Sequence, residues 1–364
     1  MKQFNGANLR LIRLFHNLSL ADLGESVSTS KQFLSRLETG GETISDGLAN
    51  ALAERLNVLP QFFFLPDEQA IAEEECHFRS HLTTKVSLRQ NARARGEMLK
   101  RLIAILERHL RLPNYAIESS EPDSPEAIER AAERFRDMFG LGRGPLSSMT
   151  RVAENAGAMV MRIKGLASDI DAISFATKRP LIALNGDGRS GCRQRFGVAH
   201  ELGHFALHVG VLTGDRLTET QANRFASALL LPRTTFAAEC RLALRGSRLN
   251  WPGLSQLKLR WGVSKAALIF RGRQLGMLSE EQARSGYIGL KRHGEALQET
   301  EDDLVPAEEP ELLPESLSML HEHFGMSLAA VARTLSVSPS LVSDLLMISP
   351  QEVSNNVVAF GRIT

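Results

Sequence analysis

The chain has 364 residues, a formal net charge of +1 and an apolar share of 43%. That length calls for two or three domains, and the balanced charge announces no nucleic-acid or membrane partner through whole-chain electrostatics. Three widely spaced cysteines, Cys76, Cys192 and Cys240, argue against a disulfide framework and for a reducing cytosol. The N-terminus lacks a leader-like apolar stretch, and there is no apolar run of about eighteen residues. No signal peptide, spanning helix or membrane partner is therefore expected, and the expected location is cytoplasmic.

Apolar residues first recur at helical spacing as Leu9, Ile12 and Leu14, then Leu20, Leu23 and Val27, then Phe33, Leu34 and Leu37, then Leu48, Leu52 and Leu56. Ser28-Thr29, Gly40-Gly41 and Pro60 interrupt these runs, which predicts the short helices of a helix-turn-helix domain. The stretch from Ser19 to Gly40 resembles the lambda-repressor-like (XRE) family. Leu23, Leu34 and Leu37 stand at its core positions, and Ser35, Glu38 and Gly40 match its signature end. That resemblance implies a double-stranded DNA operator as partner, contacted in the major groove by Ser30, Lys31, Gln32, Ser35 and Arg36. Gln32 suits adenine, whereas Lys31 and Arg36 suit guanine or phosphates. Leu20 and Ser28 replace a glutamine and a turn glycine that the family often carries. Acids match bases in number here, so an isolated copy should bind DNA weakly. A helical protein-interaction domain is the alternative.

Residues 79–111 are basic and carry Leu99, Leu102, Ile103 and Leu106 at helical spacing. They suit an amphipathic helix between domains or a nucleic-acid face. Residues 117–126 read as a linker and Ile128 to Phe139 as a helix. Short strand-like runs follow at Met159-Val160-Met161, Ile173-Ser174-Phe175 and Leu181-Ile182-Ala183-Leu184.

Next comes His200-Glu201-Leu202-Gly203-His204. On a helix, residues four apart share a face, so both imidazoles can reach one metal ion, and Glu201 is placed as a general base. Zinc needs a third protein ligand. His208 would follow on the same helix, but three ligands from successive turns approach a line. Glu219, on a separate helical segment, can cross to the two-histidine face and is preferred. Arg193, Arg195 and His208 are candidates for an oxyanion stabiliser or for supporting roles, and Asn223 for orienting a ligand. Cys192 is either a latch on the metal or a buried inert thiol.

Arg195 to His208, Glu219 to Ala226, Leu229-Leu230-Leu231-Pro232 and the Pro180 to Asn185 strand together resemble the ImmA/IrrE metallopeptidase family. The resemblance implies a zinc-dependent, gluzincin-like endopeptidase with Zn2+ on His200, His204 and Glu219 and with Glu201 as the catalytic base. It also implies a protein substrate, often an XRE-type repressor.

After the peptidase region, residues 254–275 read as helix, turn, helix, and 299–315 as a flexible acidic linker with Pro306, Pro310 and Pro314. Ser327 to Leu346 again has helix-turn-helix spacing, suited to oligomerisation or partner binding as much as to DNA. The expected fold is mainly α with a small α+β domain. Its parts are an XRE-type bundle over 1–66, a basic connector over 67–116, a zincin-like domain over 117–295, an acidic linker over 296–315 and a helix-turn-helix-like domain over 316–364. The expected function is a DNA-binding regulator whose zinc endopeptidase cleaves a repressor, in trans or within itself, with homodimer formation left open. The alternative is a non-proteolytic repressor or antitoxin that uses the zincin fold as a sensor.

Overall fold

A computed structural model describes residues 3–66, 68–77, 85–163, 171–186 and 190–348. Arg79 of the basic run and residues 349–364 of the C-terminal segment lie outside the described residues. The architecture is mainly α with a small mixed sheet. Four short helices come first: α1 (Gly6–Phe15), α2 (Leu20–Ser26), α3 (Lys31–Glu38) and α4 (Asp46–Arg55). Strand β1 (Cys76–His77) and the long α5 (Val86–His109) follow, then α6 (Pro125–Met138) and α7 (Met149–Asn155). Strands β2 (Met159–Ile163), β3 (Ala172–Phe175) and β4 (Leu181–Asn185) lead into α8 (Gly191–Leu207), α9 (Arg216–Leu230) and α10 (Arg233–Cys240). A hairpin of β5 (Leu244–Arg245) and β6 (Arg248–Leu249) precedes α11 (Trp251–Trp261), α12 (Lys265–Gln274) and α13 (Glu280–Arg292). Helices α14 (Leu312–Phe324), α15 (Leu328–Thr334) and α16 (Pro339–Leu346) complete the described chain. No helix among the described residues is long and apolar enough to cross a membrane.

Side-chain alternation along the sheet decides what lies on either side of it. The strand order is β1-β3-β4-β2, with β2 parallel to β4 and the other pairs antiparallel. Met159, Met161, Ile173, Phe175, Leu181 and Ala183 face a core shared with α1–α5 and α14–α16. Val160, Ala172, Ile182 and Leu184 face a second core built from α6–α13. Burial on both faces explains why these strands read as near-continuous apolar runs.

Helix α5 is the scaffold of the first core. Gly96 lets it lie against Phe175, where an added Cβ would fall 2.8 Å from the ring. Asn91 donates to the Leu14 and Phe15 carbonyls, Arg101 to Asn8 Oδ1, and Arg95 pairs with Asp344 at 2.9 Å. Arg95 and Arg101 thus tie Asp344 and Asn8 to α5.

Two expectations for the C-terminal third change. The 299–315 stretch is not a solvated linker throughout, because buried cations claim Glu299, Glu301, Asp302 and Glu308. Lys258 Nζ, fully buried, lies 2.7 Å from Glu299 and 2.5 Å from Asp302. Lys265 holds Glu295 and Glu301, each at 2.8 Å. Glu308 pairs with Arg195 and accepts from the Met149 and Thr150 N–H groups that open α7. The strap passes so close to α8 that a Cβ on Gly191 would meet the Pro306 carbonyl at 2.3 Å. The second helix of the C-terminal helix-turn-helix-like segment is no open recognition surface either. Leu341, Val342 and Leu345 are buried in the first core. Leu59 N–H donates to the Ser336 carbonyl and Ser338 N–H to the Asn57 carbonyl, which docks this segment on the N-terminal helices.

Where the strap ends, Glu154 accepts from the Glu311 and Leu312 N–H groups, both at 3.0 Å, at the start of α14. Burial, with the Glu311 and Glu315 charges, outweighs those bonds and lifts its carboxyl from 4.5 to about 7. A folded-state pKa above the unfolded one stabilises fully below the unfolded pKa and loses that effect as pH rises through about 7. The melting temperature of wild type relative to Glu154→Gln is therefore expected to drop between about pH 5 and pH 8. A flat difference across that window would remove Glu154 as the cause.

Candidate metal centre

Helix α8 carries the His200–His204 pair on one face because the two residues are four apart. Gly203, between them, lets α9 come near. A Cβ there would stand 3.1 Å from the Ala222 carbonyl oxygen and 3.2 Å from Phe225 Cβ. Asp215 caps α9 by accepting from Leu217 and Thr218 N–H, which starts the helix one turn before Glu219. The two helices bring His200, His204 and Glu219 together, with one ligand atom from each within 4.8 Å of the others.

The hydrogen bonds behind the two rings decide which nitrogens face inward. Gln221 Nε2 donates to the Pro122 carbonyl, so its Oε1 accepts from His208 Nε2 at 2.9 Å. Burial holds His208 below its ordinary pKa, so the ring is neutral and its Nδ1 accepts from His204 Nδ1 at 3.0 Å. His204 Nε2 therefore carries a lone pair. On the other ring, His200 Nδ1 donates to Asn223 Oδ1 at 3.0 Å, which likewise directs a lone pair from Nε2. The two Nε2 atoms are 3.1 Å apart, and each has a Glu219 carboxylate oxygen at 3.4 Å.

Burial raises the Glu219 carboxyl, and only hydrogen bonds and charge from protonated His200 and His204 would bring it down, to about 2. Burial first, with repulsion from His200, brings His204 down to about 4. An ionised carboxylate and neutral imidazoles are the forms that bind metals. Three electron-pair donors converging in a buried site repel one another unless a cation lies among them. Glu219 Oε1 has no hydrogen-bond partner among the described residues. A tetrahedral ion with bonds of about 2.0–2.1 Å sets its ligands about 3.3 Å apart, close to the spacing found. These residues fit a divalent zinc-type ion.

Glu201 is 3% exposed, and its Oε2 accepts from Ser174 Oγ at 2.5 Å. Ser174 lies on the α8 side of β3, so the sheet orients this carboxylate. His208 is not set for coordination: it is the C-cap of α8, outside the helix and behind His204. Arg193 is held by Asp171 at 3.2 Å. Arg195 is bound to Glu308 and to the Ser147 and Leu146 carbonyls. Both guanidiniums are thus committed to structure. Asn223 orients His200. Cys192 is buried beside Lys258 and the strap, and burial pushes its thiol up to about 12, the condition of an inert thiol.

One residue of the site carries no sequence signal. His77, in the segment read as a connector, pairs through β1 with Ser174. Its ring stacks on His204 at 4.9 Å and 11°. Nδ1 lies 2.9 Å from Thr213 Oγ1, while Nε2 is buried without a hydrogen-bond partner among the described residues.

The polar set expected to face DNA is exposed at the start of α3. Ser30 caps that helix at Phe33 N–H, while Lys31, Gln32 and Ser35 project outward. Arg36 is exposed but pairs with Glu42 at 2.7 Å. Helices α2 and α3 are joined by residues 27–30, where Ser28 takes φ +53° at the position of the expected turn glycine. A buried Arg13–Glu38 pair at 2.6 Å fixes α3 on α1.

Residues 153–272 match the model of the M78 peptidase family, described as the IrrE N-terminal-like domain. The match covers about a third of the chain, including β2 to α9 and the whole His200–His204–Glu219 set. His77 and the N-terminal helices lie outside it. No curated protein matches the chain.

Proposed function

We propose that this chain is a DNA-binding regulator whose central domain is a zinc-dependent endopeptidase. The convergence of His200, His204 and Glu219, with Glu201 held beside them by Ser174, carries this reading. His200, His204 and Glu219 would hold zinc, which when bound supplies Lewis-acid activation of water and of a peptide carbonyl. Glu201 takes the proton of the attacking water and delivers it to the departing amine. The outward-facing Lys31, Gln32, Ser35 and Arg36 support operator binding by α3. A repressor-type protein, or the chain's own N-terminal part, is the substrate class this pairing of domains suits. Three buried free thiols fit a reducing cytoplasm.

Glu201→Gln tests this reading. Cleavage of a repressor-type partner is expected to fall by about 10²–10⁴-fold, with zinc content by metal analysis unchanged. The near-complete burial of the site, with His200 at 5% and His204 at 1% exposure, favours one second reading, a sensor that binds metal without proteolysis. Wild type that holds zinc, binds DNA and cleaves no such partner would decide for it.

A further inference from the structure

We infer that His77 is a further catalytic residue of this site, presenting its Nε2–H to the carbonyl oxygen of a bound substrate. The inference rests on the metallopeptidase reading above. A buried ring nitrogen without a partner costs free energy and calls for an explanation. His77 is 1% exposed, and its Nε2 is such an atom. Its place points to function rather than to a packing fault. The ring lies parallel to that of His204, and β1 sets it directly opposite Ser174, the residue that holds Glu201. It therefore stands on the same side of the sheet as the general base and the inward-facing imidazoles.

The far side of the ring is already anchored. We take the Thr213 hydroxyl, 2.9 Å away, as the donor to Nδ1, which places the ring proton on Nε2. Nε2–H is then a fixed donor in a water-poor site, the arrangement that stabilises an oxygen gaining negative charge as water adds to a carbonyl. No bond to His77 forms or breaks. The other candidates are engaged: Arg193 and Arg195 in ion pairs, and His208 behind His204. Both tyrosines, Tyr115 and Tyr287, are 39% exposed, unlike the buried groups of this site. The position of His77 on the connector means that the segment leaving the N-terminal helices completes the site.

The test uses the full chain loaded with cobalt(II), and acetohydroxamate as a small carbonyl-oxygen ligand followed by the cobalt absorption spectrum. His77→Phe keeps the stacked ring and loses the donor, while His77→Gln restores an amide N–H. Cobalt affinity by chelator competition is expected to stay within about twofold of wild type in both, and acetohydroxamate to bind about tenfold or more weakly to the phenylalanine variant only. Unchanged acetohydroxamate affinity in His77→Phe overturns the inference and leaves the metal site standing. Loss of cobalt affinity in His77→Phe also overturns it, making His77 a ligand. Wild type that takes up no cobalt overturns the metallopeptidase reading, and the inference with it.

Discussion

Lys258→Ala is expected to cost the full chain about 3–5 kcal/mol of stability, because it leaves two buried carboxylates without their cation. Lys258 is fully buried and bonds to Glu299 and Asp302. Burial alone would lower its pKa, and those two carboxylates reverse the shift, so the ammonium stays charged. The cluster also holds the strap: Glu299 accepts from Lys265 N–H at the start of α12, and Asp302 accepts from Glu299 N–H. Without the ammonium the two acids repel, and the turn at 299–302 loses its anchor on α11. Urea unfolding should show a lower midpoint, and residues 296–311 should become the first segment open to protease. The companion variant Lys258→Met with Glu299→Gln and Asp302→Asn removes all three charges and is expected within about 2 kcal/mol of wild type. A single-variant loss below about 1 kcal/mol would place the cluster in water, where ion pairs contribute little.

That result bears on what could be read without coordinates. The His200–His204 spacing, the Glu219 helix and strands β2 to β4 were legible because each signal is local: a period of 3.6 or 2, a cap, a run of β-branched and apolar residues. The exposed start of α3 was legible for the same reason. What stayed hidden depends on partners distant in the chain. Glu299, Asp302 and Glu308 read as solvated charge because nothing nearby announces Lys258 or Arg195. Leu341 and Val342, in the segment read as suited to oligomerisation, partner binding or DNA, are instead covered by α5 and β2 from more than 150 residues away. His77 carried least signal. A two-residue strand has no periodicity, and a lone histidine after a cysteine in a basic stretch suggests no site until β3 pairs with it. The sheet is shared by two cores, the first of them assembled from both ends of the chain, which no local pattern announces.

Residues 117–295, the span that the sequence pattern marks as the peptidase domain, are therefore expected not to form a stable metal-binding unit when produced alone. Three losses combine. The excised piece lacks β1, so β3 gains an open edge beside Glu201 and His77 is gone. It lacks the strap carboxylates beyond Glu295, leaving Lys258 and Arg195 buried or half-buried without counter-charges. It also uncovers Met159, Met161, Ile173, Phe175, Leu181 and Ala183, a contiguous apolar sheet face otherwise capped by α5 and α14–α16. The piece should bind a hydrophobic dye, lack slowly exchanging amides in β2 to β4, and take up zinc at least tenfold more weakly than the full chain, on the order of 1.4 kcal/mol or more. Cooperative unfolding and full zinc affinity in the 117–295 piece would mean that the second core stands without the first.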